Sequence, residues 1–142
     1  MPSRIQRFIA LTSFAMLGAC ALGPRRVVLA APEPLACSRA TVVAKGYSVY
    51  EENTAKGSLR AARTRTIGYD QANERVRYEQ DFLDVQILQR TSDTLLAVRI
   101  SSGAGWRDLN NAETGHTTEY RAPTSVVTAD GDSVLAQCGR TA

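Results

Sequence analysis

The sequence predicts an α+β domain over residues 34–142. Its expected plan is an antiparallel sheet of three to four strands, with N- and C-terminal helices packed on one face (α-β-β-β-β-α). Three observations predict it. Apolar residues near both ends of this stretch recur at three- and four-residue steps, as on one face of a helix. Between them, apolar runs come in pairs joined by short polar turns, which signals hairpins. Each helical stripe also carries one cysteine, Cys37 in the first and Cys138 in the second.

The first helix is expected over Pro34–Lys45. Proline suits a first turn and Gly46 suits the position just past the end. Ala36, Cys37, Ala40, Val43, Ala44 and Tyr47 share one face, mostly of small residues that allow close packing on a sheet. Tyr47–Glu52 reads as a strand, 53–57 as a turn and Ser58–Ile67 as the returning strand. Gly68–Glu74 is polar and reads as a loop, and Arg75–Gln80 fits either a strand or a short helix. Over Asp81–Arg90 the residues Leu83, Val85 and Ile87 alternate. After a turn at 91–94, Leu96, Val98 and Ile100 alternate again over Leu95–Ser101, which makes a second hairpin. Gly103–Ala122 has weak periodicity and reads as a long loop, with His116–Arg121 a candidate for a short edge strand. A loop of that length in a compact domain is usually functional or disordered. Pro123–Gln137 reads as the last helix, with Val127, Gly131, Val134 and Cys138 on one stripe. Gly131 weakens that helix by about 1 kcal/mol and suggests a close approach to the first one.

The start of the chain has a different composition. Residues 1–7 carry Arg4 and Arg7 without an acid, 8–17 are mostly apolar, and Gly18 and Ala19 are small. A basic start, a short apolar run and small residues at the cut describe a secretory signal peptide over residues 1–19. The run is shorter than the roughly 20 residues a spanning anchor needs. Two ordinary small-x-small sites are also present, Ala19-Cys20-Ala21 and Val28-Leu29-Ala30. Residues 20–33, with Gly23, Pro24 and Pro32, read as a tether. Arg25 and Arg26 within it either touch anionic head groups, worth about 1 kcal/mol each, or are simply solvated.

Export bears on the cysteines. Setting Cys20 aside leaves Cys37 and Cys138, and an exported chain with two remaining cysteines is expected to pair them. The alternative is two separate thiols. Neither has a metal-ligand spacing such as Cys-x-x-Cys, and no cofactor or metal is expected. Charge points away from nucleic acid. Seventeen Lys and Arg stand against fourteen Asp and Glu, and two of the arginines lie in residues 1–19. The remainder is therefore fifteen against fourteen, a net +1, not the strongly basic balance of a nucleic-acid protein.

Leu17-Gly18-Ala19-Cys20 resembles the lipobox of bacterial lipoproteins, and the apolar run before it is correctly placed. The resemblance implies cleavage before Cys20, a diacylglycerol thioether on its sulfur and acylation of the new amine. Several buried acyl chains anchor far better than one, which binds only marginally. Ala21 stands where an aspartate would suggest inner-membrane retention, so the resemblance implies the outer membrane, facing the periplasm. The stretch Ala44–Arg63 (AKGYSVYEENTAKGSLRAAR) is similar to parts of small uncharacterised envelope lipoproteins. It also resembles part of the α/β domains of BamC-type lipoproteins of the outer-membrane assembly machine. No catalytic residue comes with either likeness.

Few other residues carry chemistry. His116 is the one histidine, and any Ser-His or Cys-His catalyst would have to use it. A solvated histidine is the simpler expectation. Glu51 and Glu52 are neighbours on a strand and face opposite ways. Asp130-Gly131-Asp132 lacks the rest of a calcium loop, and Asp132 reads as a helix-surface residue. Arg60, Arg63, Arg65, Arg75 and Arg77 form the most basic region, either a soluble sheet rim or a surface for an anionic partner. Arg63 and Arg65 fall on one strand face and Arg60 on the other. Trp106 and Arg107, with Tyr120 and Arg121, are residue types enriched in interface hot spots and are the candidate partner contact. The alternative is Trp106 folded back as core.

Together these readings lead to a membrane-tethered periplasmic lipoprotein held through Cys20. It is expected to act as a non-catalytic binding or structural module whose partner is an envelope protein or cell-wall component. The alternatives are a small enzyme or cell-wall hydrolase accessory using the His116 segment, or a lipid or small-ligand carrier.

Overall fold

A computed structural model describes residues 25–110 and 116–140 of the chain, with side chains for all of these but 116–118. The readings on the signal peptide, on Cys20 and on the His116 side chain lie outside them. The elements in order are β1 (Arg26–Leu29), α1 (Pro34–Ala44), β2 (Ser48–Asn53), β3 (Ser58–Asp70), β4 (Arg75–Gln89), β5 (Thr94–Asp108), β6 (His116–Arg121) and α2 (Ser125–Cys138). The α+β class holds, and the strands form one antiparallel sheet. It has six strands instead of three or four, in the order β1-β5-β4-β3-β2, with β6 also on β5.

The differences come from pairing between distant segments. Residues 26–29, read from the sequence as tether, line up with Leu95–Val98 of β5. The same edge of β5 carries β6 along Ser102–Arg107. The second half of β5, read as the start of a long loop because of Gly103 and Gly105, is thus held by strands on both sides. Likewise β3 runs on past Ile67 to Asp70 through a bulge between Thr66 and Gly68. Asp70 then organises the turn: its Oδ1 accepts from the backbone N–H of Ala72 at 3.1 Å, and its Oδ2 accepts from Asn73 Nδ2 at 2.7 Å. The Asn73 side chain holds the Asp70 carboxyl below the usual carboxylate range, helped by the backbone donors of the turn. Arg75–Gln80, ambiguous in the sequence, is the first part of β4.

Strand alternation sorts the side chains to two faces. Leu59, Leu83, Val85, Leu96, Val98 and Ile100 turn toward the helices and meet Val42, Val127, Val134 and Cys138 in the core. α1 contacts β2, β3 and β4, α2 contacts β4 and β5, and the helices contact each other. Pro34 opens α1, and Gly46 follows its end with φ +83°, a conformation that favours glycine. α2 starts two residues later than the sequence suggests. Thr124 is its N-cap, and the Thr124 hydroxyl accepts from the Val127 N–H at 3.2 Å. Cys37 and Cys138 lie at disulfide distance, with sulfurs 2.02 Å and Cα atoms 5.6 Å apart, and they join α1 to the end of α2.

The close approach at Gly131 is to the sheet, not to α1 as the stripe suggested. A Cβ there would stand 2.8 Å from Ile100 Cγ2 and 2.8 Å from Arg26 Nη2. The arginine tip can swing away, but Ile100 belongs to a central strand of the sheet. Gly131→Ala should therefore lower stability by about 1 kcal/mol, with about 1–3 kcal/mol of overpacking partly offset by better helix propensity. Thermal denaturation reads this directly. An unchanged or raised melting temperature would contradict the tight contact.

Candidate functional site

Two polar features and one aromatic one stand out, and the sheet separates them. On the helix side, β3, β4 and β5 place Arg63, Asp81 and Ser102 across adjacent strands. They follow the core rows in the same alternation, so they enter the interior. Arg63 Nη2 donates to Asp81 Oδ2 at 3.2 Å and to Asp130 Oδ2 of α2 at 3.0 Å, and its Nη1 donates to the Lys45 carbonyl at 2.9 Å. The guanidinium lies 4.4 Å from the Tyr47 ring centroid. Tyr47 donates its hydroxyl to Asp130 Oδ2 at 3.0 Å, and Lys45 Nζ is 3.2 Å from Asp130 Oδ1. Asp81 Oδ1 accepts from the Ser102 and Thr124 hydroxyls at 2.8 and 3.1 Å. Burial, aided by the hydrogen bond to Asp130, pushes the Tyr47 phenol far above its ordinary range. Burial disfavours the charge on Arg63, but Tyr47, Asp81 and Asp130 outweigh it and raise its value.

This cluster locks α1, α2 and the sheet together. Its carboxylates are engaged by cations and hydroxyls of the fold, which is how buried charge is tolerated. Among the described residues, no group of three or more His, Cys, Asp and Glu side chains is arranged to hold a metal ion. The basic region read from the sequence thus divides. Arg63 is interior, and Arg65 on the same side meets Glu79 at 3.3 Å and Asp81 at 3.5 Å. Arg60 lies on the opposite face beside Glu51 and Asp84, at 3.1 and 3.7 Å. Asp84 holds the Arg60 value up, aided by Glu51, and burial raises that of Asp84. Glu51 and Glu52 do separate: Glu51 meets Arg60 and Glu52 meets Arg39 of α1 at 3.0 Å. Asp132 is exposed, as expected, but it pairs with Arg26. Arg26 is therefore committed to the fold, while Arg25 donates to Gln86 Oε1 at 2.9 Å.

The four candidate contact residues do not form one surface. Trp106 sits opposite Arg77 on β4, with the guanidinium 5.9 Å from its ring, and register puts it on the helix side. It is 38% exposed, on a strand and not in a loop. Arg121 pairs with Ser102 and shares that side. Arg107 and Tyr120 face the other way.

The face away from the helices holds the aromatic feature. Phe82 and Tyr120 approach to 6.1 Å between centroids, with planes tilted by 45°. Tyr50 and Phe82 line an open groove of about 600 Å³ with Ser48, Ala62, Thr64 and Gln80. The intervening positions are small: Phe82 is flanked by Ala62 on β3 and Ser101 on β5, and Tyr120 pairs with Gly103. Large rings can therefore stand over a low floor. The sequence offered one usable sign of this, the small residues of β5 (Ala97, Ser101, Gly103, Gly105) at every second position but one. It has meaning only if β5 runs on as a single strand through both glycines.

No protein-family model matches the chain, and no curated protein matches it significantly.

Proposed function

We propose that this chain is an exported lipoprotein, tethered to a bacterial membrane through Cys20, whose domain is a non-catalytic binding or structural module of the cell envelope. Strand β1 supports a cut ahead of Arg26: it argues against cleavage after Ala30, while a cut after Ala21 would spare it as a cut before Cys20 does, so the choice of Cys20 rests on the lipobox-like run. Cleavage after Ala30 would strip the strand from β5 and expose the Leu95–Val98 edge. It would also remove the Arg26 guanidinium from Asp132. Cleavage before Cys20 removes none of the described residues. The Cys37–Cys138 pair supports export as well, because disulfides persist in oxidising compartments, and it leaves Cys20 as the odd thiol beside the lipobox-like run.

The short spacing has a geometric consequence. Arg25 follows Cys20 by five positions, which at about 3.3–3.6 Å per residue reach roughly 17 Å. The edge of β5 that carries β1 and β6 would then stand close over the bilayer, presented to a partner in or beside that membrane.

Expression with radiolabelled palmitate tests the tether. The wild-type chain should carry label and partition with detergent-solubilised membrane, and Cys20→Ala should lose both properties while keeping its disulfide. A mature wild-type chain that is unlabelled and begins past Cys20 would rule the reading out.

A further inference from the structure

We propose that the open face of the sheet is a platform for an uncharged glycan, held between Tyr50, Phe82 and Tyr120. This deepens the binding-module reading and rests on it, by naming the chemistry of the partner.

Tyr50 is 57% and Tyr120 60% exposed; Tyr50 stands at the bulge of the edge strand β2, and Tyr120 on β6 pairs with Gly103 of β5. Phe82, half-buried between them, meets Tyr120 at an angle and shares the groove with Tyr50. Water-exposed aromatic surface gathered in one place marks a site of contact. Tyrosine suits a ligand with apolar and hydroxylated surfaces together, because it offers a flat apolar ring with a polar tip at low entropic cost. A pyranose ring is such a ligand: its axial C–H groups make an apolar face and its hydroxyls radiate around the rim.

The groove's other walls fit the same chemistry. Ser48, Thr64 and Gln80 are uncharged donors and acceptors beside the rings, and Gln80 Nε2 donates to Thr64 Oγ1 at 3.0 Å, which orients both. The single charged residue on the wall, Arg63, has its guanidinium committed to Asp81 and Asp130. Neighbouring Arg60 is matched by Glu51 and Asp84. No uncommitted charge on the wall calls for an anion or a cation, so charge complementarity favours a neutral ligand. Two other occupants fit less well. A peptide adding as a strand would pair along the free edge of β2, which borders the groove, whereas Phe82 and Tyr120 stand on the face away from that edge. An acyl chain needs an enclosed apolar cavity, and this groove is open with polar walls.

The test is calorimetric titration of the full chain, purified in detergent, with chitotetraose, an uncharged oligomer of N-acetylglucosamine. Saturable binding is expected, and raising the salt should not weaken it because no ion pair is made. Tyr50→Ala and Tyr120→Ala should each weaken it by about tenfold or more, with unchanged melting curves because both rings are exposed. Trp106→Ala, on the other face, should leave it unchanged. Absence of saturable binding, loss on salt addition, or sensitivity at Trp106 and not at the tyrosines would each overturn the proposal. Mass analysis of the recovered sugar separates the two readings: an intact oligomer agrees with both, whereas cleavage products with tyrosine-dependent binding would keep the platform and remove the non-catalytic module. The palmitate result bears on the tether alone.

Discussion

Asp81→Ala should cost about 3–5 kcal/mol of folding stability, the range for breaking a buried ion pair by removing one partner. Asp81 is 1% exposed and ties three elements together. Its loss leaves the Arg63 guanidinium with Asp130 alone on that side and removes the acceptor for Ser102 and Thr124. Thr124 is also the N-cap of α2, so the damage spreads to the start of that helix. Asp81→Asn should cost less, because an amide of the same shape keeps an acceptor for the two hydroxyls. Replacing Arg63, Asp81 and Asp130 together by apolar residues of similar volume should recover much of the loss, since such swaps of buried ionic groups are often neutral or better. Urea denaturation of the four proteins measures this. A loss below about 1 kcal/mol for Asp81→Ala would mean that water reaches the cluster and that it does not hold the layers together.

Reducing the Cys37–Cys138 bond should cost about 2–5 kcal/mol. The cysteines are 101 positions apart. In the chain-entropy model a loop that long contributes up to about 4.7 kcal/mol, by limiting the unfolded chain. The bond also ties α1 to α2 next to Thr41, Val42 and Val134, so its loss acts first on the helix layer. For a domain of this size the melting temperature should fall by roughly 10–20 °C with reductant. The double variant Cys37→Ala/Cys138→Ala should match the reduced protein and no longer respond to reductant. A drop under about 5 °C would show that the helices are held by packing alone.

Much of the fold could be read locally. The hairpins over β2–β3 and β4–β5, the proline start and glycine stop of α1, and the stripe of α2 are periodicities and punctuation within about fifteen residues, and each formed. The cysteine pairing followed from the count and from the α2 stripe; the α1 stripe did not hold, because Ala36, Ala40, Val43 and Ala44 are exposed and Ser38, Thr41 and Val42 turn to the core beside Cys37. What was misread depends on partners far along the chain. Val27 and Leu29 look like linker because four residues make no pattern of their own; β5 supplies their ladder from nearly 70 positions away. Gly103 and Gly105 look like loop because glycine is a poor strand former, and pairing on both sides overrides that preference.

The sites follow the same division. Arg63 shares the parity of Leu59 and Ala61, and Asp81 that of Leu83 and Val85, so two charges were due on the core face. Such charges are almost never buried unless paired, and strand parity alone was enough to flag them. Which carboxylates would answer Arg63 has no local sign, because Asp130 reaches it from a helix 67 positions away. The same holds for the aromatic platform: Tyr50, Phe82 and Tyr120 come from β2, β4 and β6, and only sheet order makes them neighbours.

By itself, then, the sequence determined the helices, the hairpins and the inward side of most elements, because those depend on steps of two, three and four residues. The tertiary structure decided the strand number, the buried ionic cluster and the gathering of three rings on one face. Those depend on register between segments up to 72 positions apart, and backbone pairing, not local preference, sets that register.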